Sequence, residues 1–333
     1  MQLPLLNVLD TVRELGWNGF IQLTRDGVAL GSLYALIALG YTLVYGILKL
    51  LNFAHGDVFM VGAFIGFGVL TGFGGSPDPS IALVPLIALM FVAAMAGSAA
   101  LGVVIERFAY RPLRDAPRIA PLISALGVSF FLQNSILLLF GADFRNYNGF
   151  ELGADFDAPL PESGPLFQPV FSIRDVPINL VHVLIVVGAA GLMLVLTAFV
   201  ARTRAGKSMR ATAYDREAAT MMGIDTDRVI AVTFLVGSLL AGAAGVMYGL
   251  YLSQINHFVG FQAGLKAFTA AVVGGIGSIP GAMLGGLVIG LAESYALGYF
   301  GGRWSDLIVF GMLIFVLIVR PSGLLGTRAV HKV

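Results

Sequence analysis

Long apolar stretches separated by short polar ones dominate the pattern of this chain. Most of them reach about 20 residues, and at about 1.5 Å per residue a helix of that length crosses a hydrocarbon core of roughly 30 Å. The pattern predicts an all-α polytopic membrane bundle of about eight segments. The predicted spans are residues 27–48, 57–74, 81–105, 119–140, 178–201, 229–252, 266–291 and 305–319.

Composition favours lipid as the solvent for most of the surface. Only 12% of the 333 residues are charged and 57% are hydrophobic, whereas about a quarter of an average soluble domain is charged. The formal net charge of +1 gives no field that favours nucleic acid, which we exclude as a partner. The sequence has no cysteine and four widely spaced histidines, so a metal site is not expected.

Charge near the segment ends predicts the topology. Arginines and lysines concentrate in 106–118 and in 202–228, so both loops should face the cytoplasm. The connection 141–177 is acidic and rich in proline, and should form an external loop. Residues 1–26 mix charges with apolar residues and are interpreted as an amphipathic interfacial helix before a permease domain at 27–320 and a tail at 321–333.

The seventh segment, 266–291, conflicts with a plain crossing. One crossing there would place the tail, with Arg320, Arg328 and Lys332, outside, against the charge rule. Its middle reads Gly-Gly-Ile-Gly-Ser-Ile-Pro-Gly at 274–281, and glycine and proline break interior helical bonding. We expect a broken or re-entrant pair of half-helices, which membrane depth tolerates only where the break is buried in protein or lines a cavity.

The loop 202–228 contains a stretch too short and too charged to span. Residues 209–222 are predicted to form one uninterrupted helix that Gly223 ends. Such a helix could simply lie on lipid headgroups. Alternatively, Glu217-Ala218-Ala219 followed by Gly223 resembles the EAA pattern of ABC-importer permeases, in which this loop docks into an ATPase subunit. The candidate coupling residues are Asp215, Arg216, Glu217, Ala218, Ala219 and Gly223.

Five motifs in order extend the resemblance from about residue 27 to the C-terminus. They are LNFAHGD at 51–57, ERFAYRPLR at 106–114, GIDTDRVIA at 223–231, KAFTAAVVGGIGSIPGA at 266–282 and RPSGLLG at 320–326. Together they are similar to the LivH-type permease subunit of branched-chain amino-acid ABC transporters. Related permeases of that family serve urea or short amides.

The resemblance also implies the other subunits of the transporter. It implies an inner-membrane importer with a second related permease, two ATPase subunits and a periplasmic substrate-binding protein that delivers an amino acid. ATP and Mg would bind the ATPase chains, so no cofactor is expected in this chain. This chain would move solute by alternating access and perform no bond chemistry.

Polar and glycine positions within the membrane segments suggest a substrate path. Intramembrane polar groups usually face a bundle interior or a cavity. A faint repeat, in which Tyr45 precedes Asn52 as Tyr248 precedes Asn256, is typical of inverted-repeat transporters. The candidate path residues are Asn52, His55, Asn256, Gly274, Gly275, Gly277, Ser278 and Pro280. For Gln133 and Asn134 an interhelical hydrogen bond is the favoured role.

Two rivals from other classes remain. A stand-alone channel or secondary carrier would need a coupling carboxylate in the membrane, and the candidates are Asp57, Glu106 and Glu293, all near segment ends. An intramembrane enzyme would need a nucleophile, a paired-acid or a metal constellation at depth, which the sequence does not provide.

Overall fold

The computed structural model describes residues 4–74, 83–114, 116–117, 119–147, 166 and 168–326. The helices in this part of the chain are α1 (Pro4–Leu48), α2 (His55–Gly74), α3 (Leu83–Ile105), α4 (Ile119–Phe140), α5 (Leu180–Arg202), α6 (Arg204–Tyr214), α7 (Arg216–Met221), α8 (Thr226–Leu252), α9 (Val259–Gly274), α10 (Ile279–Phe300) and α11 (Gly302–Val319). A π-helical turn (Glu106–Tyr110) and a 3-10 turn (Arg111–Leu113) follow α3. Short strands are β1 (Arg145–Asn146), β2 (Pro169–Ile173), β3 (Val176–Asn179) and β4 (Gln254–Ile255).

Eight of the described helices are long and apolar enough to cross a membrane. This confirms the predicted all-α membrane bundle. The first crossing-capable stretch is Gly16–Leu48, and the helix that contains it is interrupted only at Gly16, where φ is +52°. The predicted boundary at residue 26 therefore falls inside a continuous helical stretch.

The expected break in the seventh segment is present, with different bounds. The segment is two separate helices, α9 of 16 residues and α10 of 22 residues, instead of one span at 266–291. Gly275 and Gly277 adopt φ of +111° and +94° between them, a region that favours glycine. The apolar run starts earlier than predicted, because α9 already begins at Val259.

Glycines set the closest helix contacts. On α1, Gly27 faces Leu291 and Gly31 faces Leu287, so α1 runs antiparallel to α10; a Cβ on Gly31 would lie 2.8 Å from the Leu287 Cα. On α3, Gly102 faces Ser238 of α8 in a similar way. Small residues let backbones approach this closely. The resulting van der Waals contact is one of the main interactions that hold helices together in lipid.

Two small antiparallel pairs organise the connections that the charge pattern places outside. β1 pairs with β4, and β2 pairs with β3. Just after β1, the buried Tyr147 packs over Gly249 and donates a hydrogen bond to the Ala63 carbonyl. The start of the predicted external loop is thereby fixed to α2 and α8, while residues 148–165 and 167 of that loop lie outside the described residues.

Candidate functional site

The candidate coupling segment forms two helices, which corrects the single helix expected at 209–222. Helix α6 begins earlier, at Arg204, and ends at Tyr214; Asp215 then adopts an extended backbone with φ of −153°. The Asp215 carboxylate accepts a hydrogen bond from the Ala218 N–H at 3.0 Å and so caps α7. Aspartate is among the best N-cap residues, because its side chain satisfies a free N–H of the first turn.

Gly223 ends α7 as expected. Its φ is +80°, its N–H donates to the Thr220 carbonyl at 3.0 Å, and the Ile224 N–H donates to the Ala219 carbonyl at 3.1 Å. This is the pattern of a helix closed by a left-handed residue, where glycine carries no Cβ penalty. The loop geometry therefore depends on Asp215 at one end of α7 and on Gly223 at the other.

The outer face of α7 is open for a partner. Arg216, Glu217 and Ala218 are exposed, whereas Ala219 is buried against the bundle. Large apolar side chains surround the charged positions: Tyr214 and Met221 are each 86% exposed and Met222 is 82% exposed. Mixed apolar and charged surface is typical of protein interfaces, in which methionine, aromatic residues and arginine are enriched.

An ion-pair cluster joins α7 to the end of α3. Asp227, in the first turn of α8, pairs with Arg111 at 2.9 Å, with Arg114, and more loosely with Arg216 of α7 at 3.9 Å. Arg114 also pairs with Glu106, and both of these side chains are at most 7% exposed. The candidate coupling helix α7 is therefore connected by charge to the π-helical turn that Glu106 begins.

The same turn continues to a candidate path residue. The buried Tyr110 hydroxyl lies 3.1 Å from Asn52 Oδ1, to which it donates a hydrogen bond, and 3.3 Å from the Leu51 carbonyl. Asn52 belongs to the link between α1 and α2. Ion pairs, a π-helical turn and a hydrogen bond thus connect α7 with the α1–α2 link, and π-turns within helices are frequent at functional sites.

A cavity of about 630 Å³ lies beside the coupling segment, between α6 and the start of α8. Its walls include Arg204, Met209 and Ile224, so it combines charge with apolar surface. The cavity and the exposed face of α7 lie side by side at this end of the molecule.

The candidate path residues fall into separate groups. Asn52 and His55 are buried at the start of α2, where the His55 ring lies 4.9 Å from that of Tyr41 and against Gly40. Asn256 lies on the α8–α9 link and accepts a hydrogen bond from the Phe258 N–H at 3.0 Å. The first turns of α2 and α9, which follow the two links, meet where Gly56 contacts Gly260.

The residues of the α9–α10 turn contact the tail. A Cβ on Gly275 would lie 2.4 Å from the Gly326 backbone nitrogen, and the Leu324 and Leu325 N–H groups donate to the last carbonyls of α9. Gly274 approaches Gly281 across the turn. Ser278 caps α10, whose first turn contains Pro280, and Gly277 has open space around it. Whether solute passes these residues stays a prediction.

The intramembrane polar residues have mostly structural partners. Gln133 donates to Asp57 across α4 and α2 at 3.0 Å, which is the interhelical hydrogen bond expected for it. Asn134 instead donates to the Phe130 carbonyl of its own helix. Glu106 is held by Arg114 and Glu293 by Lys266. No group of three potential metal ligands occurs among the residues that the structure describes.

Sequence reasoning missed the Asp227 cluster. Arg111 and Arg114 share one motif, but their common partner Asp227 lies more than 100 positions away at the start of another helix. The signal available in the sequence was a motif with three arginines and one glutamate, and only the packing of α3 on α8 shows which further carboxylate the arginines meet.

Comparisons with known proteins match nearly the whole chain to permeases of branched-chain amino acid transport systems. The family model described as "Branched-chain amino acid transport system / permease component" matches residues 23–317. The permease protein BraD of a high-affinity branched-chain amino acid transport system in Pseudomonas aeruginosa is 43% identical over 94% of this chain and 98% of its own. The corresponding permease LivH of Escherichia coli is 43% identical over the same shares.

A more distant relative is the autoinducer 2 import system permease protein LsrC of Yersinia enterocolitica. It is 30% identical over 60% of this chain and 53% of its own length. No solved structure matches this chain.

Proposed function

This chain belongs to the family of branched-chain amino acid transport system permease components, and from that premise we propose that it carries leucine, isoleucine and valine through an ATP-driven importer. It is a multi-pass protein of the inner membrane and a transporter subunit, not an enzyme. The observation that carries the proposed substrate is similarity at 43% identity over nearly the full length of two high-affinity branched-chain amino acid permeases.

The proposed partners are a second related permease, two ATPase subunits and a periplasmic binding protein. The exposed apolar and charged face of α7 supports an ATPase contact, since Tyr214, Met221 and Met222 lie open around Glu217. ATP and Mg would be bound by those ATPase chains. The amino acid would arrive from the binding protein on the side of the β2–β3 hairpin.

The proposed mechanism is alternating access driven through the coupling helix. A rigid-body push on α7 reaches Asp227 at the start of α8, then Arg114 and the π-helical turn, and then Asn52 beside the buried start of α2. Because ion pairs and hydrogen bonds join these groups, movement of α7 would displace both helices that flank the α1–α2 link. Packed helices and interfaces with two discrete arrangements convert small shifts into larger ones, and the proposal assigns such a rearrangement to these helices.

The second candidate function is ATP-driven import of a different solute by a transporter of the same subunit composition. The similarity to an autoinducer 2 import permease over part of the chain favours it, because related permeases evidently serve unlike solutes. Urea, short amides and other amino acids belong to this alternative.

The test is transport by the reconstituted importer. Proteoliposomes that contain this permease with its partner permease, its ATPases and a loaded binding protein should accumulate radiolabelled leucine only when ATP is present on the ATPase side. Unlabelled isoleucine and valine should compete, and urea, acetamide and autoinducer 2 should not. ATP-dependent uptake of one of those other solutes without leucine uptake would establish the alternative.

A further inference from the structure

A second cavity, of about 440 Å³, lies between α9, α10 and α11, apart from the coupling segment. Its walls combine apolar side chains, among them Phe261, Leu265, Leu297 and Phe310, with about as much polar surface. Its volume lies in the range of small-molecule pockets, roughly 300–1,000 Å³. The cavity thus combines a suitable size with a mixed apolar and polar lining for a small solute.

Three charged side chains meet in this cavity. The Lys266 ammonium lies 2.6 Å from Glu293 Oε1 and 2.9 Å from Asp306 Oδ1. Glu293 lies about 10 Å from the C-terminal end of α10, at about 1.5 Å per residue. One ammonium between two carboxylates leaves a net negative charge beside this apolar helix. Ionisable groups in membrane segments are costly and often mark solute or ion pathways.

The hydrogen-bonding capacity of the cluster is only partly used. Glu293 Oε2 and the Ser305 hydroxyl are buried and have no hydrogen-bond partner among the described residues, and both residues line the cavity. Lys266 has three N–H donors and two carboxylate partners, so one donor is left. Asp306 is 62% exposed and marks the open side of the cavity.

These features are complementary to a zwitterion with an apolar side chain. We propose that the cavity between α9, α10 and α11 binds an α-amino acid during transport, a step that rests on the proposed function. The substrate ammonium bonds Glu293 Oε2 and faces Asp306, and the substrate carboxylate accepts from the free Lys266 donor and from Ser305. The aliphatic side chain packs against Phe261 and Leu297. None of these residues belongs to the path that the sequence predicts.

Equilibrium binding to the purified complex, without binding protein, tests the chemistry of recognition. Radiolabelled leucine should bind, and unlabelled leucine should displace it. 4-Methylpentanoate lacks the ammonium and 3-methylbutylamine lacks the carboxylate, so each should compete about tenfold more weakly, the loss expected for one charge-assisted hydrogen bond. Equal competition by all three would overturn the proposal, because an apolar cavity alone would then explain binding.

Variants tie that binding to this cavity. Glu293→Gln keeps an acceptor for Lys266 but removes the charge, and should lower leucine binding and uptake about tenfold. Ser305→Ala should lower both about threefold. Ser294→Ala is the matched control, because this buried serine of α10 donates to the Leu23 carbonyl at 2.7 Å and does not line the cavity.

A charge swap separates binding from folding. The double variant Lys266→Glu with Glu293→Lys keeps an ion pair but exchanges its ends, so the proposal expects assembled complex with low uptake. Restored uptake in the swap, or wild-type uptake by Glu293→Gln, would show that the cluster only holds the helices together. Failure of the wild-type complex to transport leucine would instead count against the proposed function, and the two failures are therefore distinguishable.

Discussion

Arg114 is the side chain on which the cytoplasmic cluster depends. It is 7% exposed and neutralises Glu106, which is 3% exposed, whereas Arg111 is 46% exposed and makes a surface pair with the same Asp227. Removing one partner of a buried pair leaves an uncompensated charge, which costs about 3–5 kcal/mol. A surface pair contributes about 0–1 kcal/mol. The two arginines therefore form a matched comparison within one motif.

We expect Arg114→Met to destabilise the folded protein by about 3–5 kcal/mol and Arg111→Met by at most about 1 kcal/mol. Thermal unfolding of the purified protein in detergent measures the difference. Adding Glu106→Gln to Arg114→Met should recover part of the loss, since the orphaned charge is then absent. Equal melting temperatures for the two single variants would mean that Glu106 has another route to neutralisation.

At the scale of one element, the coupling role proposed for α7 requires that both of its ends keep their conformation. Glu217→Lys inverts a charge on the exposed face, and Gly223→Pro removes the N–H that donates to Thr220 and forces a negative φ where +80° is required. Both variants should insert normally and lose the stimulation of ATPase activity by loaded binding protein. Asp143→Lys, an exposed charge inversion in the predicted external loop, is the control and should keep it. Normal stimulation in both variants would remove the coupling role of α7.

The α9–α10 turn gives a second comparison within one element. Gly275 and Gly277 both have positive φ, but a Cβ on Gly275 meets the Gly326 backbone at 2.4 Å while a Cβ on Gly277 meets nothing within 4 Å. Either alanine is strained by the positive φ, but only Gly275→Ala also clashes with the tail backbone, so it should lower the yield of folded protein further than Gly277→Ala does. Gel filtration in detergent measures the first effect. Leucine uptake by Gly277→Ala, normalised to folded protein, then reports whether the turn lines the path. Equal yields of folded protein for the two variants would show that the tail can move away from a side chain at position 275.

Elements differed in how far the sequence could predict them. Helix α4 spans 119–140 as predicted. An uninterrupted apolar run between charged and glycine-containing flanks can satisfy its backbone hydrogen bonds in lipid only as a helix. In the seventh segment the glycine and proline run predicted the break, but hydropathy did not show that the first half-helix already begins at Val259. The break at Asp215 was readable as an N-cap signal, yet the surrounding helix propensity concealed it.

The candidate sites were less predictable than the helices, for a physical reason. Asn52 was identified as an intramembrane polar residue, but its partner Tyr110 lies on another helix and depends on packing. Lys266 and Glu293 were visible only as charges within or near apolar segments, and their meeting with Asp306 requires three helices to converge. Local patterns encode elements, whereas sites arise from contacts between elements distant in sequence.

At the scale of the whole molecule, the faint sequence repeat corresponds to a repeated arrangement of helices. Helices α1, α2 and α3 match α8, α9 and α10: each set is a long helix, a short irregular link, a second helix and a third that packs on the long helix of the other set. Gly31 with Leu287 in one contact corresponds to Gly102 with Ser238 in the other. Gly56 meets Gly260 where the two sets join. An inverted repeat explains why α9 enters the bundle and α10 returns.

One contact relates the sidedness of the tail to that of the α9–α10 turn. The tail bonds to the end of α9, since the Leu324 N–H donates to the Val273 carbonyl at 2.8 Å, so tail and turn share one side. The basic tail and the loop 202–228 should face the cytoplasm and the β2–β3 hairpin the outside. Tags at positions 115 and 330 should be reachable only from the cytoplasm, and a tag at position 154 only from outside. All three positions lie outside the described residues.

Because the sequence contains no cysteine, single cysteines report sidedness without background. Ser172→Cys on β2, Thr220→Cys on α7 and Pro321→Cys after α11 all replace exposed residues. A membrane-impermeant maleimide added to right-side-out spheroplasts should label Ser172→Cys, and should label the other two only after permeabilisation. Ser172→Cys and Pro321→Cys labelled together in intact spheroplasts would place the tail outside. The contact between tail and turn would then move the α9–α10 turn to the outer face, and α9 with α10 could no longer form a hairpin that enters from outside.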